Sequence, residues 1–341
     1  MTARAFITGL AGTALSPDER AFLREAQPWG LIVFKRNIES SSQVSKLVDY
    51  FRNSVGRGDA PVLIDQEGGR VQRLGPPVWP SYPPGAFYGR VYDQDIAKGI
   101  AAARLGARLI AADLAPLGIN VNCLPLADVP VPGADPVIGD RAYGETPDKV
   151  AAIAGAIAEG LSEGGVLPVL KHIPGHGRAT ADSHAKLPVV NADRATLEAT
   201  DFAAFRPLAG LPLAMTAHVV FTAIDPVSPA TTSAMMIAEV IRGFIGFGGL
   251  LMSDDIAMGA LSGSIGERTR AAIAAGCDVV LHCNGKLAEM QQVAAESPML
   301  AGEAGRRADA ALASRRLPKD IDLAAARAAF SALMADVGMV S

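Results

Sequence analysis

The sequence predicts a single (β/α)8 barrel of the TIM type, extended by helices at its C-terminus. Eight short apolar runs occur along the 341 residues, and each is followed by a turn and then by a longer amphipathic stretch. Eight strand-then-helix units with short connections are typical of a closed parallel barrel. The alternative is an open, doubly wound sheet, but the Gly-x-Gly-x-x-Gly motif expected after its first strand is missing.

The eight runs are unbroken in their apolar character, as expected for strands that other elements cover on both faces. The predicted strands are 5–9, 30–34, 61–65, 119–128, 166–172, 212–219, 249–255 and 278–283. The first run superficially resembles a signal peptide, but glycines and threonines dilute it. We therefore interpret it as the first strand.

The intervening segments predict helices. One opens at Ser16 with a capping residue, a proline and early acidic residues. The others are expected at 40–53, 93–117, 146–163, 194–208, 233–242, 262–275 and 286–296. The connection from Asp65 to Tyr92 is rich in proline and is expected to be an ordered irregular loop. Residues 300–341 predict two further helices outside the barrel, so that residues 1–341 form one domain.

The composition excludes several classes of protein. Lys and Arg number 31 and Asp and Glu 35, so the net charge of −4 gives no attraction to nucleic acid. The sequence has no run of about 18 apolar residues, the length that a membrane helix needs. Its three cysteines argue against a disulfide framework and favour a reducing compartment: Cys123, Cys277 and Cys283. We therefore expect a cytoplasmic protein with no nucleic-acid or membrane partner.

Polar side chains stand near the C-terminal ends of five predicted strands. They are Asp65, Asp128, Lys171 with His172, His218, and Asp254 with Asp255. In a parallel barrel these ends meet at one mouth, where the working residues of such folds cluster. Strand ends that simply reach solvent would explain one or two of these positions, but less easily all of them.

The densest polar segment is KHIPGHGRATADSH, residues 171–184, which holds three of the five histidines. Asp182 stands two residues before His184 and can orient its imidazole through one ring nitrogen, which leaves the other to transfer a proton. A surface loop with incidental His and Asp is the plainer interpretation. A metal site is a third, with ligands from His172, His176, Asp182 and His184, although neither H-x-H after the first strand nor H-E-x-x-H is present.

Two further segments carry charge to the predicted mouth. In residues 248–260 a buried strand delivers Asp254 and Asp255, one of which could be an anionic nucleophile; alternatively Ser253 or Asp254 caps the next helix. In residues 64–74 two acidic and two basic residues surround a Gly-Gly turn and could bind a polyhydroxylated ligand or form a surface ion-pair lattice: Asp65, Glu67, Arg70 and Arg73. Arg141, in the loop after the fourth strand, adds weak support.

Together these motifs resemble those of glycoside hydrolase family 3, in particular the bacterial β-N-acetylglucosaminidases of peptidoglycan recycling. IDQEGGRVQRL, GDRAYG, KHIPGHG with its trailing DSH, and GLLMSDD occur in the family's order between about residues 5 and 290. The resemblance implies that Asp254 is the nucleophile and that His184 is the acid and base, oriented by Asp182. It implies sugar contacts from Asp65, Arg73, Arg141, Lys171 and His172, and a structural role for Arg70.

The resemblance also implies an activity: retaining, exo-acting removal of terminal β-linked N-acetylglucosamine from muropeptides, without cofactor or metal, by a monomer. We expect the loop from Gly175 to His184 to close over bound sugar. Three alternatives remain open from the residues alone. They are a phosphorylase of the same fold, a metal-dependent barrel hydrolase, and a non-catalytic sugar-binding barrel.

Overall fold

The computed structural model describes residues 3–336, and at its centre is a closed barrel of eight parallel strands. The strands are β1 Arg4–Thr8, β2 Pro28–Val33, β3 Val62–Ile64, β4 Val121–Asn122, β5 Leu167–Ile173, β6 Leu213–Thr216, β7 Leu250–Asp255 and β8 Val279–His282. Each strand pairs with the next in chain order, and β1 pairs with β8, with Phe6 aligned to Val280. The prediction of a (β/α)8 barrel is confirmed, and the open sheet is wrong.

Successive residues of each strand face two different cores, which explains why the runs are apolar throughout. On β1, Ile7 packs with the residues that fill the barrel, whereas Phe6 packs in the shell between strands and helices. The interior is filled mainly by aliphatic and sulfur-containing side chains, including Ile7, Ile32, Leu63, Val121, Cys123, Val169, Met215, Met252 and Leu281. The barrel is therefore a packed core with its working surface at one end.

Helices surround the barrel in the predicted order. They are α1 Pro17–Ala26, α2 Ser41–Val55, α3 Gly85–Gln94, α4 Ile96–Leu114, α5 Pro147–Glu163, α6 Arg194–Ala199, α7 Ile265–Ala275, α8 Leu287–Glu296, α9 Gly302–Ala313 and α10 Leu323–Asp336. Residues Met236–Phe244 form a π-helix, and short 3₁₀ turns occupy Lys35–Asn37, Ala115–Leu117, Gly139–Arg141, Ala203–Leu208 and Ala230–Thr232. As predicted, Ser16 caps α1, and its hydroxyl accepts from the main chain of Glu19.

Two predictions for the segment between β3 and β4 are wrong. The connection after Asp65 is not wholly irregular, because it contains the hairpin Gln66–Gly68 with Val71–Gln72 and then α3. The helix predicted at 93–117 is divided at Asp95, whose side chain accepts from the main chain of Lys98 and so begins α4. The prolines before α3 predict a break, but the last of them, Pro84, is the N-cap directly before Gly85, the first residue of that helix.

The fourth strand is also shorter than predicted. Only Val121–Asn122 of the predicted 119–128 is regular strand. Pro125 has no N–H to donate to a neighbouring strand, and beyond it the backbone pairs with β5 at an isolated bridge between Leu126 and Lys171. Asp128 therefore lies in the segment that follows β4, at the mouth of the barrel.

The C-terminal extension consists of α9 and α10, as predicted; residues 337–341 lie outside the described part of the chain. Helix α10 packs on α4, and Phe330 contacts the rings of three aromatic residues, Tyr82, Phe87 and Tyr88. Arg327 donates to Asp113 at 2.6 Å, and so does the hydroxyl of Tyr82. The extension thus anchors the proline-rich connection. Among residues 3–336, no helix combines the length and the apolar character required to cross a bilayer.

Candidate active site

A buried cluster of charged side chains joins the loop after β3 to the end of β5. The Nζ atom of Lys171 lies 3.1 Å from Oδ1 of Asp65 and 2.7 Å from Oε1 of Glu67. Nη2 of Arg73 donates to Oδ2 of Asp65 at 3.0 Å. Arg141 binds Glu67 through two nearly parallel hydrogen bonds of 2.8 and 2.9 Å. The structure thus brings together four of the five predicted sugar contacts around a carboxylate, Glu67, that was not among them.

The hairpin after Asp65 makes this arrangement possible. Gly68 and Gly69 both have positive φ, and a Cβ on Gly68 would overlap the carbonyl oxygen of Pro83. The tight turn returns the chain so that Arg73 faces Asp65. The side-chain amide of Gln66 fixes the return, because its oxygen accepts from the main-chain N–H groups of Arg73 and Leu74.

The cluster is ionised at neutral pH. Burial works to raise the pKa of Glu67, but the adjacent Lys171 and Arg141 lower it to about 2. The pKa of Asp65 likewise lies well below its usual value, because Lys171 and Arg73 outweigh burial. Burial works to lower the pKa of Lys171, but Glu67 and Asp65 raise it. Paired carboxylates and cations in fixed positions offer both acceptors and donors, which is what a set of sugar hydroxyls requires.

His172 lies next to this cluster and is oriented by a buried carboxylate. Its Nδ1 atom lies 2.8 Å from Oδ2 of Asp128, which is fully buried. Burial works to raise the pKa of Asp128, but the pKa lies below its usual value. The adjacent imidazole of His172 with its hydrogen bond lowers it, and so does His176. Asp128 thus fixes the imidazole and leaves Nε2 as the second hydrogen-bonding atom.

Asp254 stands at the end of β7. Its Oδ1 accepts from the main-chain N–H of Asp255 at 2.8 Å. Burial works to raise its pKa, but the pKa lies below its usual value. The causes are the neighbouring imidazoles of His218 and His172, that hydrogen bond and the charge of Lys171. Asp254 is therefore an anion in the same electrostatic environment as His172 and the Lys171 cluster.

The neighbouring carboxylate has a different role. Oδ1 of Asp255 accepts from the main-chain N–H groups of Ala257 and Cys283, at 3.0 and 3.1 Å. Ser253 accepts from Leu281 at 2.9 Å, whereas the helix that follows, α7, is capped by Ser264. The interpretation of Ser253 or Asp254 as a helix cap is therefore wrong, and Asp255 holds the turn at the end of the strand.

His218 supports the end of β7 from β6. Its Nε2 donates to the main-chain oxygen of Asp255 at 3.0 Å, and its Nδ1 lies 2.7 Å from Oγ1 of Thr231. Burial lowers the pKa of His218, and nearby Asp254 and Asp255 only partly offset this effect. His218 therefore braces the backbone beside Asp254. The sequence singled out His218 because it is a polar residue at a predicted strand end, but it could not indicate which residues His218 contacts.

The loop after β5 carries a histidine–aspartate pair. Nδ1 of His184 donates to Oδ1 of Asp182 at 2.8 Å, and the main-chain N–H of His184 donates to the same oxygen at 2.9 Å. Partial burial works to raise the pKa of Asp182, but these hydrogen bonds lower it. The side chain of His184 is 69% exposed and that of Asp182 41%. The pair therefore faces solvent, with Nε2 of His184 directed away from Asp182.

Arg70 lies outside this arrangement. It pairs with Asp140 at 3.3 Å on the surface and donates to the carbonyl oxygens of Pro136 and Val137. Its contacts tie two loops together. The four residues considered as metal ligands are engaged in other contacts or stand apart, and within residues 3–336 no three His, Cys, Asp or Glu side chains are arranged to hold a metal ion.

A carboxylate and a charged cluster suited to sugar hydroxyls at the mouth of a parallel barrel are features found in glycoside hydrolases built on (β/α)8 barrels. The chain belongs to glycosyl hydrolase family 3, since residues 7–307 match the family's N-terminal domain. Within that family its likeness is to β-hexosaminidases of the NagZ type.

The similarity to individual relatives extends over most of each chain. A β-hexosaminidase of Alkalilimnicola ehrlichii is 41% identical over 280 residues, which is 81% of this chain and 79% of the relative. One from Methylococcus capsulatus is 37% identical over 320 residues, covering 92% and 93%. The crystal structure of NagZ from Neisseria gonorrhoeae with N-trifluoroacetyl-D-glucosamine superimposes with a TM-score of 0.85 at 30% identity, covering 99% and 97%.

Proposed function

We propose that this protein is a retaining, exo-acting β-N-acetylhexosaminidase that removes terminal N-acetylglucosamine through a covalent glycosyl-aspartate. The observation that carries the proposal is the place of Asp254, which stands at the C-terminal end of β7, at the barrel mouth that also holds Lys171 and His172 at the end of β5. A sugar held by the cluster around Lys171 presents its anomeric carbon to that carboxylate. The anomeric carbon is the electrophile that a carboxylate nucleophile attacks in retaining hydrolysis.

In the first step an oxygen of Asp254 bonds to the anomeric carbon while the glycosidic C–O bond breaks. The leaving oxygen keeps the bonding electron pair and takes a proton from Nε2 of His184. In the second step that neutral Nε2 takes a proton from water, and the water oxygen attacks the anomeric carbon. The bond to Asp254 breaks, the carboxylate is restored, and two inversions leave the sugar in its original β configuration.

The histidine–aspartate pair suits this double use. A retaining enzyme usually takes a second carboxyl group as its acid and base, but an imidazole performs the same transfer near neutral pH. Asp182 fixes Nδ1 as the protonated nitrogen, so that Nε2 gains and loses the transferred proton. Its negative charge also stabilises the imidazolium that must exist before the first step.

We assign binding of the sugar hydroxyls to Asp65, Arg73, Lys171 and His172. Arg141, the fifth predicted sugar contact, also forms a bidentate pair with Glu67. This pair holds Glu67, which in turn holds Lys171. Closure of the loop from Gly175 to His184 over the sugar follows from the same proposal, since the exposed His184 must approach the glycosidic oxygen.

The substrate class that we propose is the N-acetylglucosaminyl muropeptide of peptidoglycan recycling. Its support is the likeness to NagZ of Neisseria gonorrhoeae, whose crystal structure contains N-trifluoroacetyl-D-glucosamine. We further propose action as a cytoplasmic monomer. The three cysteines of the chain are unpaired, and every assigned residue comes from the one barrel.

The test is turnover of 4-nitrophenyl β-N-acetylglucosaminide and of a GlcNAc-anhydromuramoyl peptide in phosphate buffer, with products identified by mass and by NMR. Release of β-N-acetylglucosamine, unchanged by excess chelator, supports the proposal. Formation of sugar 1-phosphate would indicate a phosphorylase. Loss of activity in excess chelator would indicate a metal-dependent enzyme, and absence of turnover would indicate a binding protein.

A further inference from the structure

Ser183 is buried between two exposed residues of the loop that carries the acid–base pair. Only 3% of Ser183 is exposed, although Asp182 and His184 on either side of it face solvent. Its Oγ atom lies 3.1 Å from Nε2 of His176. A serine directed inward at this point fixes the backbone from which both members of the pair extend.

His176 is itself fixed by the sugar-binding region. Its main-chain N–H donates to Oδ1 of Asp128 at 2.6 Å, and the other oxygen of Asp128 binds Nδ1 of His172. A Cβ on Gly177 would overlap the carbonyl oxygen of Val129, so the chain can place His176 here only because a glycine follows it. One carboxylate thus positions both a proposed sugar contact and the partner of Ser183.

The hydrogen bond between His176 and Ser183 suits a neutral imidazole. Burial lowers the pKa of His176 to about 4, so the ring is uncharged at neutral pH. One ring nitrogen can then accept the hydroxyl proton of Ser183. Two main-chain bonds hold the same segment from the other side, because Ala260 donates to the oxygen of Ser183 and Gly259 to that of His184, both at 3.1 Å.

We propose that Ser183, held by His176, is a positioning residue that sets where His184 delivers its proton. The inference rests on the proposed role of His184 as acid and base. Outside the pair itself, residues 183 and 184 meet three supports: His176 on the sugar side, and Gly259 and Ala260 in the segment that follows Asp254. Ser183 supplies the side chain with which residues 183 and 184 reach these supports, so its removal loosens the pair without touching the sugar or the nucleophile.

Substrates with different leaving groups test this role. A 2,4-dinitrophenolate leaves with little need of a proton, whereas a 4-methoxyphenolate needs one, so a misplaced acid slows only the second substrate. Ser183→Ala is expected to lower kcat/KM about tenfold for the 4-methoxyphenyl β-N-acetylglucosaminide and less than about twofold for the dinitrophenyl one. Ser183→Cys, which keeps the size but donates weakly, is expected to behave in the same way. Thr180→Ala, the loss of an exposed hydroxyl in the same loop, serves as the matched control and should change neither value.

A double variant shows whether Ser183 acts through His184. In a His184→Gln background, Ser183→Ala should cause no further loss, whereas an independent effect would add to the first. His176→Gln, which keeps an amide near the position of Nε2, should retain more activity than His176→Ala on the methoxyphenyl substrate.

The proposal is overturned if Ser183→Ala slows both substrates equally, slows neither, or adds to the effect of His184→Gln. Failure of the underlying function has a different signature, because His184→Gln itself would then show no dependence on the leaving group.

Discussion

Nδ1 of His184 lies 2.8 Å from Oδ1 of Asp182, and both residues belong to a loop that the barrel presents to solvent. The contact joins residues only two apart in sequence, so it travels with the loop wherever the loop moves. An acid–base unit that is complete in itself can therefore approach a glycosidic oxygen after the sugar has bound. Under the proposed function, binding by groups on the rigid strands is therefore separated from proton transfer by the loop.

Replacement of Asp182 tests this unit. Asp182→Asn keeps an oxygen for Nδ1 of His184 but removes the charge that stabilises its imidazolium form. We expect kcat/KM for a poor leaving group to fall by about 10², because a protonated His184 loses its counter-charge. His184→Gln should lose about 10² to 10⁴. Steady-state rates on substrates with a poor and with a good leaving group provide the measurement. An unchanged rate of Asp182→Asn on the poor leaving group would show that the pair is incidental.

The two neighbouring carboxylates of β7 should differ sharply in importance. Asp254→Asn removes the proposed nucleophile, and we expect a loss of at least about 10⁴ in kcat. Asp255→Asn is the matched control, because the amide oxygen can still accept from Ala257 and Cys283, and we expect a loss of less than about fivefold. Both should melt close to the unaltered protein. Comparable losses in the two variants would exclude the assignment of Asp254.

Glu67 should make stability depend on acid pH. Its pKa of about 2 in the folded state lies below the ordinary 4.5, so its contribution is fully present above pH 4.5 and is lost as the pH falls toward 2. Glu67→Gln leaves Lys171 and Arg141 with one buried carboxylate fewer and should cost about 3 to 5 kcal/mol near pH 6.

Thermal or urea unfolding between pH 6 and pH 2.5 measures this. The difference in free energy of unfolding between the unaltered protein and Glu67→Gln should become smaller as the pH falls. Parallel curves over the whole range would mean that Glu67 is not held ionised by its partners.

The C-terminal extension should matter for stability. Phe330 is buried among Tyr82, Phe87 and Tyr88, and Phe330→Ala should lower the free energy of unfolding by about 3 to 5 kcal/mol. Ala332→Ser, an exposed change on the same helix, is the control. Urea denaturation checks the prediction. A loss below about 1 kcal/mol would mean that α10 is peripheral to the packing of the barrel.

The architecture was predictable because each barrel strand is buried on both faces. That burial demands unbroken apolar runs, and turns and helix caps such as Ser16 separate them clearly. The hairpin after Asp65 was not predictable, because strands of three and two residues joined by a glycine turn carry too little pattern. Helix α3 was missed for a different reason. Its first turn follows prolines, and its aromatic side chains pack against Phe330, which lies more than 200 residues further along the chain.

The candidate site divides in the same way. A spacing of two residues indicated the pairing of Asp182 with His184, whereas the assignment of Asp254 rather than Asp255 came from family resemblance. The structure adds a physical reason, since Asp255 is engaged by main-chain N–H groups. The pairing of Glu67 with Arg141 and of Asp128 with His172 links residues 74 and 44 apart, and no local pattern reports such contacts.

The most direct test of the account is to trap the intermediate. Incubation with 5-fluoro-N-acetylglucosaminyl fluoride, followed by digestion and tandem mass spectrometry, should find one glycosyl group, with fragment ions that place it on Asp254. Asp254→Asn should take up no label, and Asp255→Asn should be labelled normally. A label on any other residue, or continued turnover with no labelled peptide, would contradict the assignment of Asp254 as nucleophile.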